Sequence, residues 1–227
     1  MIVPEVLYED NHLLVVCKPP GMPSQKDLTE DYSLTDWAED YLRELYQKPG
    51  NVYVALLHRI DRPVGGVMVL AKTSKAASRM STIIQNKEFE KTYLAISEKI
   101  PVPPTGELEH HLIKLEGKNV MKAFKKPTRG SLYAKLSYQV LQTNEHRALL
   151  QILPQTGRQH QIRVQLAAIS CPITGDAKYA RNDQFLEDQS IALWSWKLSF
   201  AHPVTKQVMT FSAPPPVTFP WNLFPLS

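Results

Sequence analysis

Residues Leu57 to Lys72, which read LHRIDRPVGGVMVLAK, decide how the rest of the chain is interpreted. The carboxylate of Asp61 lies between two arginines, Arg59 and Arg62, and a Pro-x-Gly-Gly sequence follows this charged group. One apolar run precedes the group and a second apolar run comes after the glycines. This order predicts a strand, a tight turn that carries the charges, and a second strand.

The arginines on either side of Asp61 favour its ionised form, because nearby opposite charge stabilises a carboxylate. A carboxylate of this kind suits nucleophilic or electrostatic work better than proton donation. Gly65 and Gly66 lack Cβ atoms and would let a ligand or another backbone segment approach closely. An ordinary ion pair at a strand end would give the same local pattern, so the stretch by itself leaves both interpretations open.

A second polar group begins beside Gly157, which interrupts an apolar, strand-like run. Beyond it, Ile162, Leu166 and Ile169 recur at helical spacing, so a helix is predicted from Arg158 to Ile169. The first turn and a half carries Arg158, Gln159, His160, Gln161 and Arg163. A helix start rich in donors, with free backbone N–H groups, suits an anion. A solvated polar helix start would have the same composition.

Several motifs follow one another in a fixed order along the chain. They are YEDNHLLVVCKPPGM at 8–22, HRIDRP at 58–63, KTYLA at 91–95, TGRQHQIR at 156–163, PITGDAKY at 172–179, WSWKLSFAHP at 194–203 and FSAPPP at 211–216. Together they strongly resemble the RluA family of RNA pseudouridine synthases, and the resemblance covers nearly the whole chain. Several motifs in agreement are far more specific than any one of them.

The resemblance implies an enzyme that isomerises uridine in RNA to pseudouridine, moving the glycosidic bond from N1 to C5 of the base. The target base must leave its stack, at a cost of a few kcal/mol. On this resemblance Asp61 is the catalytic carboxylate, and it either attacks the ribose or takes a sugar proton. Arg163 would pair with Asp61 and hold it oriented. Tyr93 would lie against the flipped base and assist proton removal from C5, while Arg59 would occupy the space that the base vacates.

The residues expected to contact RNA are Lys18, Arg59, Arg62, Arg158, His160 and Gln161. Contacts to phosphate position an RNA and do not specify its sequence. Lys18 stands at the mouth of a proline-rich loop and is either a phosphate contact or a solvated surface lysine. The implied chemistry needs no metal, nucleotide or redox cofactor, and no motif for one occurs in the sequence.

The chain departs from the usual family pattern at a few positions. They are Val64, Gly65, Gln165, Ser170 and Ala180. None of the departures removes Asp61, Tyr93 or Arg163, so the implied activity is retained. They bear instead on the contacts that substrate-binding loops would make.

Composition bounds the class of protein. The chain of 227 residues is 43% hydrophobic and 21% charged, so it can bury a core and is not disordered. Its net charge of +4 permits a nucleic-acid partner without requiring one. The apolar runs are too short for a transmembrane helix, and the N-terminus lacks the layout of a signal peptide. We therefore expect a cytoplasmic protein that acts as a monomer, with RNA as its partner and no membrane contact.

The predicted elements are more often strands than helices and are mostly joined by short turns. They include helices at 33–46 and 74–86, short strands at 108–112 and 121–124, and two strands, 134–141 and 146–153, joined by a four-residue hairpin loop at 142–145. They predict an α+β fold of the pseudouridine synthase type, with a largely antiparallel or mixed central sheet, helices on its faces and a catalytic cleft. The whole chain, 1–227, is expected to form one catalytic domain without the additional S4-type domain of many relatives. Residues 101–133 are predicted to form a basic surface excursion that tracks a phosphate backbone, and 214–227 a proline-rich tail.

Two other functions fit part of the pattern. A catalytically inactive RNA-binding protein or chaperone would keep the basic residues but would not need Asp61. A hydrolase with a carboxylate nucleophile would need a second acidic residue nearby, for which Asp176 is the motif candidate. Within the enzyme interpretation, ribosomal RNA and tRNA stay open as substrates. The expected target is a small stem-loop read by its shape and its unstacked bases.

Overall fold

The structure is a computed structural model that describes residues 3–26, 29–180, 186 and 190–225. Its Cα positions divide the chain into two compact units. The first unit comprises Met1–Lys91 and Ser195–Pro214, and the second comprises Thr92–Trp194 and Pro215–Ser227. The chain therefore leaves the first unit, builds most of the second, and returns. The expected single catalytic domain over 1–227 stays a prediction.

The elements follow the predicted mixture of strands and helices. Along the described chain the strands are β1 (Glu5–Glu9), β2 (Leu13–Lys18), β3 (Ala55–Leu56), β4 (Gly65–Ala71), β5 (Glu90–Ser97), β6 (Thr105–Lys114), β7 (Met121–Phe124), β8 (Leu132–Asn144), β9 (Arg147–Pro154), β10 (Leu193–Ala201) and β11 (Val208–Ser212). The helices are α1 (Leu34–Leu45), α2 (Ser74–Gln85) and α3 (Gln161–Ala168), with one 3-10 turn at Trp221–Leu223.

In the first unit the strands follow the order β1, β2, β4 and β10, and β11 pairs with β10. The pairs β1–β2, β2–β4 and β10–β11 are antiparallel. Strand β3 also pairs antiparallel with the end of β4, so the strand, turn and strand predicted around Asp61 are confirmed, although β3 has only two residues. One buried cluster of this unit consists of Leu13, Val15, Val67, Val69, Met80, Ile83, Phe89, Leu198, Phe200 and Ala213.

Local sequence signals set the ends of the first two helices. Helix α1 begins after Ser33, whose hydroxyl accepts a hydrogen bond from the Asp36 N–H while the Asp36 carboxylate accepts one from the Ser33 N–H. This reciprocal capping box satisfies two N–H groups that the helix leaves free. Thr73 caps α2 in the simpler way, through its hydroxyl and the Ala76 N–H. The predicted helices at 33–46 and 74–86 are confirmed.

The second unit is built on five antiparallel strands in the order β5, β9, β8, β6 and β7. The predicted four-residue hairpin loop at 142–145 is wrong. Asn144 pairs with Arg147, so β8 continues further than expected and the turn consists of Glu145 and His146. Glu145 adopts a positive φ of 50° there, which a two-residue hairpin turn requires and which the sequence does not signal.

The segment 101–133 contains the short strands that the sequence predicts, now extended as β6 and β7. Burial alternates along β6, with Leu108, His110 and Leu112 buried and the residues between them partly or fully exposed. One face of the hairpin therefore packs inward and the other faces solvent. In the proline-rich tail, Trp221 and Phe224 are buried, and residues 226 and 227 lie outside the described part of the chain.

The expected α+β class is confirmed, with strands in the majority and three helices among the described residues. None of the helices in the described ranges has the length and apolar character needed to cross a lipid bilayer. The expected catalytic cleft stays a prediction, because Asp61 lies in the first unit while Tyr93 and Arg163 lie in the second.

Candidate active site

The turn that carries Asp61 is held on both sides by hydrogen bonds within the first unit. The Val64 N–H donates to the Asp61 carbonyl at 2.9 Å and closes the turn. The Ser24 hydroxyl donates to the Ile60 carbonyl at 2.8 Å, and the Val69 N–H donates to Nε2 of His58 at 3.2 Å. The backbone around Asp61 is thus fixed, while its side chain keeps partial exposure.

Lys18 occupies a different setting from the phosphate contact or solvated lysine expected from the sequence. Its side chain is fully buried, and Nζ donates to the carbonyls of Pro19 at 2.9 Å and Met22 at 2.7 Å, with the Arg62 carbonyl at 3.4 Å. Burial lowers the pKa of Lys18 to about 7, although the Asp61 charge opposes that shift. An ammonium held in this way braces the loop against the Asp61 turn and is not available to an RNA phosphate.

The two arginines of the turn remain accessible. Arg62 is exposed, donates from Nε to the Gly21 carbonyl at 2.9 Å, and forms an ion pair with Asp31 at 2.6 Å. Both partners of that pair are nearly half exposed, so solvent screens the pair and Arg62 can exchange it for a phosphate. Arg59 is also exposed. Their expected RNA contacts stay predictions.

The sequence predicts a close approach at Gly66, and the structure shows that a neighbouring strand makes it and not a ligand. Its φ is +116°, and a Cβ there would lie 2.8 Å from the carbonyl carbon and amide nitrogen of Ser195 in β10. The Ser195 hydroxyl in turn donates to the Val67 carbonyl at 2.9 Å. The glycine therefore lets β10 lie against β4 directly beyond the Asp61 turn.

The polar start of α3 is organised differently from the prediction. The helix begins at Gln161, three residues later than expected, because His160 adopts a left-handed conformation with φ 51°. The Gln161 side-chain oxygen accepts hydrogen bonds from the Thr156 hydroxyl at 2.7 Å and the Arg158 N–H at 3.0 Å. Its amide nitrogen donates to the Lys135 carbonyl. Gln161 is buried and its polar atoms are used, so the structure does not support it as an RNA contact.

Arg163 is held by a residue to which the sequence assigned no role in this reaction. Its Nε and Nη2 donate to Oδ2 and Oδ1 of Asp176 at 2.8 and 2.7 Å, and both side chains are almost completely buried. Asp176 also accepts the Lys178 N–H at 3.1 Å. The motif at 172–179 contains Asp176 and is the sequence signal that could have indicated its importance. The spacing of the motifs alone does not show that Asp176 pairs with Arg163.

His160 and Tyr179 extend the same buried group. The Tyr179 hydroxyl accepts the Met121 N–H and is 2.8 Å from Nδ1 of His160, and the two rings meet edge to face. The Arg163 guanidinium lies 5.3 Å from the centre of the Tyr179 ring. His160 is only 7% exposed, so its position suits orienting this buried group better than contacting an RNA phosphate. Arg158, in contrast, is exposed, and its expected RNA contact stays a prediction.

Tyr93 lies in β5 opposite Ile152 of β9 and is 7% exposed. Gln165, one of the departures from the family pattern, is fully buried and donates to the Leu108 carbonyl at 2.9 Å. Its amide is also 3.1 Å from Nδ1 of His110. That departure therefore belongs to the interior of the second unit and not to a substrate-binding surface.

A carboxylate on a braced turn beside two exposed arginines is an arrangement that suits a polyanionic substrate. Residues 12–168 match the family model described as RNA pseudouridylate synthase, and the chain therefore belongs to that family. The family match establishes an isomerase of uridine in RNA and favours it over an inactive RNA-binding protein.

Named relatives and a solved structure agree with this assignment. A ribosomal large subunit pseudouridine synthase C from Buchnera aphidicola (subspecies Acyrthosiphon pisum) is 29% identical, over 94% of this chain and 68% of its own. A tRNA pseudouridine synthase C from Vibrio cholerae is 30% identical, over 92% and 90% of the two chains. The solved structure named human RNA pseudouridylate synthase domain containing 4 matches with a TM-score of 0.76 and 25% sequence identity. The match covers 93% of this chain and 88% of that one. The predicted pseudouridine synthase fold is confirmed.

Proposed function

We propose that this chain converts a uridine in a stem-loop of ribosomal RNA or tRNA to pseudouridine, with Asp61, Tyr93 and Arg163 as the residues that act on the nucleotide. The observation that carries the proposal is the Asp61 turn, whose backbone is fixed by buried hydrogen bonds while its arginines stay exposed. An enzyme needs fixed geometry at its reacting group, whereas a protein that only binds RNA does not.

The reaction balances without a co-reactant. The bond between N1 and the ribose C1′ breaks, C1′ joins C5 of the same base, the proton on C5 is lost, and N1 gains a proton. Asp61 either attacks the ribose or takes a sugar proton. Tyr93 assists removal of the C5 proton, and Arg163, itself oriented by Asp176, orients Asp61.

The names of the relatives support two kinds of substrate. The Buchnera relative is named for the large ribosomal subunit and the Vibrio relative for tRNA. Both kinds of RNA contain stem-loops with unpaired bases, which proteins recognise by stacking and by contacts to base edges. The exposed cations of the 101–133 segment suit the backbone of either RNA. The protein is proposed to act as a cytoplasmic monomer, and light scattering of the purified chain tests the monomer.

The decisive experiment expresses the parent and Asp61→Ala in a host that lacks its own pseudouridine synthases of this type. Pseudouridine is then mapped across total RNA by chemical labelling and sequencing. Asp40→Ala is the matched control, because Asp40 is exposed on α1 and makes only a surface ion pair with Arg43 and a surface hydrogen bond with Tyr32. Sites formed by the parent and by Asp40→Ala, but not by Asp61→Ala, are the expected result.

Other outcomes have definite meanings. Equal modification by Asp61→Ala and the parent would contradict the role of Asp61. No pseudouridine with any of the three folded proteins would contradict turnover in that RNA pool and favour the inactive RNA-binding function. The modified sites themselves identify the substrate as ribosomal RNA, tRNA or both.

A further inference from the structure

We propose that a row of three side chains on one sheet face of the second unit, Phe124, His111 and Tyr133, stacks unpaired bases of the RNA. We call these three residues the aromatic row. The inference rests on the proposed function, because that function requires an RNA with unpaired bases. It deepens the function by adding a binding surface that does not include Asp61, Tyr93 or Arg163.

The aromatic row is defined by strand register. His111 of β6 lies directly opposite Phe124 of β7 on one side and Tyr133 of β8 on the other. Residues directly opposite each other in antiparallel strands project from the same face of the sheet. The His111 and Tyr133 rings are in contact, with centres 5.7 Å apart and planes tilted by 59°. Three adjacent strands thus present three rings in one line.

The row lies on the face that the protein leaves open. The opposite face of the same strands is buried through His110, Leu112 and Ala134. In contrast, Tyr133 is 41% exposed, and both His111 and Phe124 keep partial exposure. Aromatic side chains that a protein needs for its core lie on the inner face. These three lie on the outer one, so burial in the core does not account for them.

The protein fixes the Tyr133 end of the row. The Tyr133 ring packs against the His111 ring, and its hydroxyl lies near the Glu109 carboxylate on the same face. The exposed Arg158 donates from Nε to the Tyr133 carbonyl at 3.0 Å. A ring held in this way loses little conformational freedom when a base stacks on it, and a cation lies next to it.

The charges around the row favour a nucleic acid over an apolar protein surface. Lys122 places its ammonium 5.1 Å from the Phe124 ring centre, and Lys125 and Lys126 follow in exposed positions. The two carboxylates on this face, Glu107 and Glu109, both pair with Lys135 at 2.9 Å. Rings interleaved with cations are the usual surface for single-stranded nucleic acid, because every base has a face to stack and every nucleotide a phosphate. Duplex RNA offers no free base faces, so unpaired nucleotides are the ligand.

The test uses a short fluorescent single-stranded RNA of mixed sequence and the same strand annealed to its complement. Binding to the whole chain is measured by fluorescence anisotropy over a range of salt concentrations. We expect Phe124→Leu and Tyr133→Leu each to weaken single-strand binding by about 5- to 150-fold, the range for losing one stacked base. The slope of affinity against salt stays unchanged, because neither variant alters a charge.

Three further variants separate stacking from other causes. Lys126→Gln should reduce the salt slope by about 0.7, the value for one phosphate contact on a single strand. Tyr133→Phe keeps the ring and should bind like the parent. Phe219→Leu makes the same change at a 52%-exposed aromatic outside the row and should also bind like the parent. Thermal unfolding of each variant checks that it is folded.

A direct map completes the experiment. RNA that carries 5-bromouridine is irradiated with the parent protein, and the crosslinked peptides are identified by mass spectrometry. Crosslinks in β6, β7 or β8 at the aromatic row support the proposal, and crosslinks confined to other segments overturn it. Unchanged affinity in both leucine variants also overturns it, even if the parent forms pseudouridine. A third outcome separates the two proposals. If both leucine variants bind RNA more weakly but the parent forms no pseudouridine, the aromatic row is supported and only the proposed function is contradicted.

Discussion

Arg163 and Asp176 form a two-point ion pair inside the second unit, with Nε–Oδ2 and Nη2–Oδ1 distances of 2.8 and 2.7 Å. Their side chains are 4% and 0% exposed. With so little exposure to water, each charge relies on nearby protein groups, and each is an important partner of the other. The pair fixes the plane of the guanidinium that we propose to orient the catalytic carboxylate. On that proposal, Asp176 is a positioning residue that acts through Arg163.

Breaking this pair should be costly for stability. Asp176→Ala leaves the Arg163 charge buried without that carboxylate, so we expect the free energy of unfolding to fall by about 3–5 kcal/mol. Urea denaturation measures the change. The double variant Arg163→Met with Asp176→Leu should recover most of the stability, because it replaces two buried charges with apolar side chains, but it should form no pseudouridine. Activity in the double variant would refute the proposed role of Arg163.

Gly66 should tolerate no other residue. Gly66→Ala would place a methyl group against the backbone of Ser195 and would also require a residue with a Cβ at φ +116°. We expect a loss of at least about 1–3 kcal/mol in the free energy of unfolding, and more if β10 is displaced. Gly117→Ala is the control, since Gly117 has φ +67° but an added methyl group there would meet no atom within 4 Å. Equal losses in the two variants would mean that the contact with Ser195 is unimportant.

His58 should make stability depend on pH. It is buried against Phe89 and accepts the Val69 N–H through Nε2, which must be unprotonated. Burial lowers the pKa of His58 from 6.5 to about 3. Between those pH values the unfolded chain binds the proton and the folded chain does not. The contribution of His58 is therefore complete above pH 6.5 and declines as the pH falls towards 3, by at most about 1.4 kcal/mol per pH unit.

The measurement for His58 is the free energy of unfolding of the parent and of His58→Asn across that range. Asparagine can accept the Val69 N–H but does not titrate, so the variant should lose stability less steeply on acidification. Carboxylates titrate in both proteins, and their effect cancels in the difference. Parallel curves would show that His58 does not contribute to the acid sensitivity.

Features encoded by neighbouring residues could be predicted from the sequence. The capping box of Ser33 and Asp36 marks the start of α1 to the residue, because both partners lie within one helical turn. The turn around Asp61 is likewise local, because Pro63 lies within it and the Val64 N–H closes it on the Asp61 carbonyl. The start of α3 could not be predicted in the same way, because the left-handed conformation of His160 depends on contacts with Tyr179, nineteen residues further along the chain.

The settings of individual side chains depend on the whole fold, and here the sequence is a weaker guide. Lys18 follows an apolar strand and precedes two prolines, which suits a surface position, yet three carbonyls from two separate segments surround its ammonium. Gln161 has the composition of a ligand contact but serves the loop before its own helix. In both cases the polar atoms are satisfied by groups whose positions only the folded chain discloses.

The contact between β4 and β10 also affects how the protein can be made. Val67 and Ser195 are 128 residues apart, and the chain between them builds nearly all of the second unit. At about 5–20 residues per second, a ribosome needs roughly 6–26 s to supply the partner of β4 after β4 itself has been synthesised. During that interval the nascent chain carries an apolar strand with an open edge, which is a hazard for mispairing. Chaperone dependence during translation should therefore concentrate on the first ninety residues, well before the last strand of their sheet has emerged.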